Sequence, residues 1–273
     1  MVNDPNDQFI QAIAATCLPP PGTINGDGKL HRYSTDGKPS HKNGWYFLHL
    51  DGTPWGQAGS WEIYGGDPVC HWSAKADTAM TQAERDTQRQ RINAAKAQRD
   101  AERLVEHDAA ATLAQTIWDA ALAVEAGHGY LMAKGIKPNG VRLIQAADAH
   151  RLCNRLSPEL TGPLLVIPMR NAARQLRSLQ FITEDGFKRP LTGGEKQGCY
   201  FALGTPKGQI IIAEGFATGA STHEATGQGT AVAFDAGNLY AVGLALHAKS
   251  PALKIIFAAD DDHLTDGTGC DPR

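Results

Sequence analysis

The chain has 273 residues, 42% hydrophobic and 20% charged, with a formal net charge of −3. This composition suits one large globular domain or two to three small ones, and it excludes a membrane helix, since no run approaches about 20 apolar residues. The polar, acidic start MVNDPNDQ does not read as a signal peptide, so a cytoplasmic location is expected.

Five cysteines at 17, 70, 153, 199 and 270 form no CxxC pair. They therefore suggest neither a disulfide framework nor a zinc ribbon. Cys70-His71 is the only adjacent pair of soft ligands, and free buried thiols are expected.

Residues 1–75 read as a small β module. Asp27-Gly28, Asp36-Gly37 and Asp51-Gly52 are turn signals between short apolar runs. Trp45, Tyr46, Phe47, Trp55, Trp61, Tyr64 and Trp72 crowd this stretch. Aromatics can stack on bases, but in so small a module they are expected to serve mainly as core.

Residues 76–127 are rich in Ala, Gln, Arg and Glu, and no Gly or Pro occurs from 81 to 126. One long helix or two consecutive ones are expected, exposed first and then packed through Leu113, Ile117, Trp118, Ala121 and Leu122. Residues 128–207 follow as a basic α+β segment. From Lys134 to Lys207 there are twelve Lys and Arg against five Asp and Glu, a local charge of +7. Such an excess is either a solvated surface or a track for a phosphate backbone. Within it, the run LLVIPM at 164–169 reads as a buried strand ended by Pro168. LQFI at 179–182 and the turn at 184–186 read as a hairpin, and 198–203 as a further strand.

Residues 208–273 change rhythm. Continuous apolar strands at 209–213, 230–234 and 254–259 alternate with helical stretches at 217–225 and 239–248. Strands buried on both faces and alternating with helices imply a parallel α/β sheet. Each strand ends on polar residues: Glu214-Gly215, then Asp235 with Gly237 and Asn238, then Asp260, Asp261 and Asp262. Sites in open parallel sheets form beyond the carboxyl ends of the strands. Asp260 and Asp262, two apart on an extended segment, share one face. Converging carboxylates repel one another unless a cation lies among them. An oxygen-only donor set selects Mg²⁺ or Mn²⁺ over zinc, and such ions commonly serve phosphoryl transfer. Gly215 and Gly237 would let phosphate approach backbone amides at helix N-termini.

The segments IIIAEGFATG (210–219), AVAFDAGNL (231–239) and IIFAADDD (255–262) resemble the three signature segments of the Toprim domain. That domain occurs in bacterial-type primases, type IA and II topoisomerases and some nucleases. The likeness is strongest to primases and primase-helicases of phages, plasmids and integrative elements. Upstream, DGKLHR (27–32), NGWY (43–46), HGYL (128–131) with Lys134-Gly135, and LQFI (179–182) resemble segments those proteins carry ahead of the domain.

The resemblance implies a Toprim core preceded by a β module and a helical linker. It implies that Glu214, Asp260 and Asp262 are catalytic and hold the metal, with Asp235 near it in a metal or water role. It also implies that Arg170, Lys188, Arg189 and Lys196 contact template or nucleotide phosphates. The expected activity is DNA priming: short RNA primers made from ribonucleoside triphosphates on a single-stranded DNA template, alongside a replicative helicase in cis or in trans. No membrane partner is expected. The alternatives are a Toprim nuclease, and a non-catalytic single-strand-binding replication module. Two departures stand out: no zinc-binding module precedes the β module, and only eleven residues follow Asp262. A Toprim domain normally continues with a helix and a strand, so either a piece of a longer chain or a domain lacking its last elements is expected.

Overall fold

The computed structural model describes residues 4–38, 42–60, 68–75, 81–124 and 127–258. Asp260, Asp261 and Asp262 lie outside the described residues, as do Trp61, Tyr64 and Cys270. Two compact units divide inside one long helix, between residues 97 and 98.

The first unit begins with helix α1 (Pro5–Ala14), which the sequence reading did not single out. Its start is nevertheless encoded: Asp4 accepts a bond from the Asn6 amide at 3.0 Å, and Pro5 occupies a first-turn position. Strands β1 (His31–Tyr33), β2 (Gly44–His49), β3 (Trp55–Ser60) and β4 (Pro68–Ser73) form one antiparallel meander in sequence order. Gly28, Gly37 and Gly52 all have positive φ, so each Asp-Gly pair is a turn. On one face, Phe9 and Ile13 of α1 pack with Tyr46, Leu48, Ala58 and Cys70. Gly56 makes that contact possible, because a Cβ there would lie 2.8 Å from the Phe9 ring. Trp45, Phe47 and Trp55 form a second buried cluster. The described aromatics at 45, 46, 47 and 55 are thus core, and burial raises the Cys70 thiol to about 11.

Helix α2 (Gln82–Ala120) is unbroken. Within the second unit its buried side is a spine of Ala110, Ala114 and Ile117, continued by Ala121. Leu122 was expected in that packed face, but it is 74% exposed. The helix has ended by then, and Leu122 lies on the two-residue edge strand β5 (Leu122–Ala123). Ile117→Ala should cost about 2–5 kcal/mol through the cavity it leaves. Leu104→Ala, on an exposed turn, should stay within about 0.5 kcal/mol; urea unfolding measures both.

Helix α3 (Gly129–Lys134), strand β6 (Arg142–Gln145) and helix α4 (Ala146–Leu152) lead into the strands β7 (Pro163–Arg170), β8 (Leu176–Ile182) and β9 (Lys188–Pro190). These complete an antiparallel sheet in the order β5-β6-β7-β8-β9. Its alternating residues serve two cores. Leu164, Val166, Leu179 and Phe181 face α2 and α4, while Leu165, Ile167 and Ile182 face the other way. Pro168 does not end β7 as the sequence suggested. The next residue of the same parity, Arg170, sends its N–H to the Tyr200 carbonyl at 3.1 Å, away from β8. On that side β6 has already ended opposite Val166. A proline there removes no ladder bond.

Strand β10 (Phe201–Leu203) begins the second sheet, followed by β11 (Gln209–Ala213), α5 (Phe216–Thr226), β12 (Thr230–Val232), α6 (Ala236–Lys249) and β13 (Lys254–Ala258). The order is β10-β12-β11-β13; the last three are mutually parallel and β10 is an antiparallel edge. Helices cover both faces. Phe216 and Ala220 of α5 pack with Val232, Leu165 and Ile167, while Val242 and Leu246 of α6 pack on Ile210 and Ile212. The basic segment and the α/β segment therefore share a core, despite their contrasting composition.

Candidate metal and phosphate site

Glu214 follows the central strand β11 directly and is half-buried. Gly215 is the N-cap of α5 with no side-chain cap bond. Among the described residues, a Cβ at Gly215 would meet only Thr218, at 3.9 Å, so none of them closes the approach to that helix N-terminus. Positive dipole charge there favours an anion or the Glu214 carboxylate.

Asp235 follows β12 on the same carboxyl edge, after Phe234 has turned the chain through a left-handed φ of 75°. Both its oxygens are engaged. Oδ1 caps α6 by accepting from the Asn238 amide at 3.0 Å, and Oδ2 pairs with the Lys196 ammonium. Gly237 lies inside the first turn of α6, beside the Asp235 carboxylate. A phosphate at this helix end would face that negative charge, so α5 offers the more favourable terminus.

Asn238 is the residue the sequence reading undervalued. It is 1% exposed. Its Oδ1 accepts from the Gly198 amide at 2.8 Å, and its Nδ2 points at the carbonyls of Lys196, Cys199 and Ala233 at 2.8–3.1 Å. One buried amide thus fixes the 196–199 loop against the end of β12 and carries Lys196 to the edge. No spacing rule reveals this, because three of the four partner groups lie 39–42 residues away in sequence. Cys199, enclosed here, has its thiol pushed up to about 12, chiefly by burial.

The four expected phosphate contacts do not gather. Lys196 alone reaches the carboxyl edge. Lys188 and Arg189 are neighbours on β9 and point to opposite faces, Lys188 over Tyr130 and Arg189 over Phe187, with Glu159 at 3.3 Å from Arg189. Arg170 ends β7, donates to the Arg174 carbonyl at 3.0 Å, and lies 5.9 Å from the Trp118 ring. Arg142 lies 4.3 Å over the same ring. Burial first, and the neighbouring Arg142 second, lower the Arg170 pKa. Part of the basic excess is neutralised internally: Arg177, 16% exposed, bonds Glu195 at 2.6 Å and Asp108 at 2.9 Å, which raises its pKa.

Among the described residues, no three His, Cys, Asp or Glu side chains converge as a metal cage. Nor is any helix among them long and apolar enough to cross a membrane.

No family model matches the chain. It is 32% identical over 267 residues to an Escherichia coli protein named DNA primase TraC, an alignment covering 94% of this chain and 24% of that protein. A second Escherichia coli DNA primase TraC is 34% identical over 284 aligned positions, covering 98% of this chain and 18% of the relative. A primase fragment of the bacteriophage T7 primase-helicase protein has a TM-score of 0.36 and 13% identity, over 52% of this chain and 61% of that one. The chain thus spans about a fifth to a quarter of the length of the curated relatives it matches, and it is similar along nearly its whole length to proteins named DNA primase.

Proposed function

We propose that this chain carries the catalytic part of a DNA primase of the Toprim type, making short RNA primers on single-stranded DNA. The supporting observation is Glu214 at the carboxyl end of the central parallel strand, in a chain similar throughout to proteins named DNA primase. Glu214, Asp260 and Asp262 are the proposed ligands of Mg²⁺ or Mn²⁺; the donors are all carboxylate oxygens, which suits a hard divalent ion. When bound, the ion would neutralise triphosphate charge and lower the pKa of a coordinated hydroxyl. Asp235 caps α6 and holds Lys196, so its role in this reading is to position a cation at the edge. Lys196 can exchange its carboxylate partner for a phosphate oxygen there, and the open amides of α5 add donors for the same charge. Much of the catalysis is then positioning and electrostatics.

The test is a priming assay on single-stranded DNA with ribonucleoside triphosphates. Short products that require Mg²⁺ or Mn²⁺ are expected. Nicking of duplex without nucleotides would favour the nuclease reading, and salt-sensitive DNA binding without turnover would favour a binding module. A replicative helicase, in cis or in trans, is the expected partner, and deoxyribonucleotides supplied alone should support less synthesis.

A further inference from the structure

Away from Glu214, a cavity of about 540 Å³ runs along the β10 edge. It extends from Arg170 and Tyr200 to Ile210 and Thr230, at the amino ends of the parallel strands, and is closed by Leu246 and Leu253. Ile210 and Glu214 are four residues apart on extended chain, roughly 13 Å at about 3.3 Å per residue. Most of the cavity therefore lies toward the opposite end of the sheet from the carboxyl edge.

Its chemistry is two-sided. The floor is apolar, built from Phe201, Leu203, Ile210 and the two leucines. The rim carries Arg170, Arg174 and Lys249, and among the described residues no Asp or Glu lines it. None of these three cations has a carboxylate partner among the described residues. Arg170 and Lys249 instead donate to the carbonyls of Arg174 and Ala172, and Lys249 thereby ties the end of α6 to the 171–175 turn. Arg142 adds a fourth positive charge beside Arg170, through their shared contact with Trp118. Like charges held together without an acid are relieved by a bound anion. The C-terminus of α6 opposes an anion, but Lys249 sits on that terminus and offsets it. A cavity of this volume lies within the roughly 300–1,000 Å³ range of small-molecule sites.

We infer that this cavity binds a nucleotide, with the base against the apolar floor and the phosphates on Arg170, Arg174 and Lys249, independently of the metal edge. The inference does not rest on the primase reading, since a nucleotide could enter free or as a unit of a single strand.

Isothermal titration of the chain with ADP in EDTA, without template, tests it. Binding should occur and weaken at least tenfold in Arg174→Asn with Lys249→Gln. Arg174 has a φ of 66°, which Asn tolerates, and both positions are exposed, so the fold is retained. Ser250→Trp, at the exposed rim, should weaken binding by obstruction without removing charge. Arg151→Gln, whose guanidinium pairs with Asp148, should bind as the unaltered chain does. Competition by oligothymidylate would identify a strand nucleotide as the occupant, and its failure a free one; either supports the site. No ADP binding in EDTA, equal binding by all the variants, or inorganic phosphate binding as tightly as ADP would overturn it. A chain that binds ADP here yet makes no primers would refute the primase reading alone.

Discussion

Glu214→Gln is expected to lower Mg²⁺-dependent primer synthesis by about 10²–10³-fold while leaving the fold intact. The substitution keeps side-chain size and removes only the charge. Glu214 is half-buried just past β11, beyond the four isoleucine and alanine positions that form the core of that strand. The melting temperature should therefore move little, because the interactions of the sheet interior are untouched. The loss should appear in kcat more than in KM, since the carboxylate acts on charge that develops in the transition state. Product yield per unit time, with thermal melting in parallel, measures both halves. Full activity in the variant would remove Glu214 from the chemistry.

Asn238→Ala should be the most destabilising single change at the edge, costing about 3–5 kcal/mol. It strands the Gly198 amide and deprives the buried carbonyls of Cys199 and Ala233 of a donor. Each orphaned buried group costs about 1–3 kcal/mol, with the sum reduced by relaxation of the loop. Asn238→Asp should be no milder: it keeps the acceptor for Gly198 but places negative charge among three carbonyls. Urea unfolding gives the free-energy change. A local readout accompanies it, because Cys199 is buried with its thiol held near 12 and should react with a thiol reagent only once the loop loosens. Priming should fall in both variants, since the loop that presents Lys196 is no longer anchored. Retention of stability within about 1 kcal/mol would mean that the loop is held by something other than this amide.

The parts of the fold legible in the sequence are those governed by local rules. Asp-Gly pairs marked the turns of the β module because glycine relieves the left-handed backbone at 28, 37 and 52. The run at 209–213 read as a doubly buried strand because helices cover both faces of it. The run at 254–258 read the same way, but among the described residues it forms the edge strand β13, only partly buried, with Phe257 50% exposed. Long-range geometry was not legible. Pro168 looked like a terminator, since nothing local says that β6 stops opposite Val166. Leu122 fits the apolar spacing of α2, but the helix ends two residues before it. The basic residues behaved likewise. Composition gave their excess, whereas pairing decided which are neutralised, as Arg177 is by Glu195 and Asp108. Alternation on β9 separated Lys188 from Arg189. At the site, the placement of Glu214 and Asp235 at strand ends followed from periodicity. The engagement of both Asp235 oxygens and the hub role of Asn238 required the tertiary structure.

The central claim is that Glu214, with Asp260 and Asp262, holds a divalent cation at the carboxyl edge of the sheet. Titration of the chain with Mn²⁺, followed by electron paramagnetic resonance of the free ion, tests it without any assay of synthesis. Saturable binding at micromolar to millimolar Mn²⁺ is expected, competed by Mg²⁺ and lost in both Glu214→Gln and Asp260→Asn. Mn²⁺ that stays free throughout, or binds equally to both variants and the unaltered chain, would contradict the account.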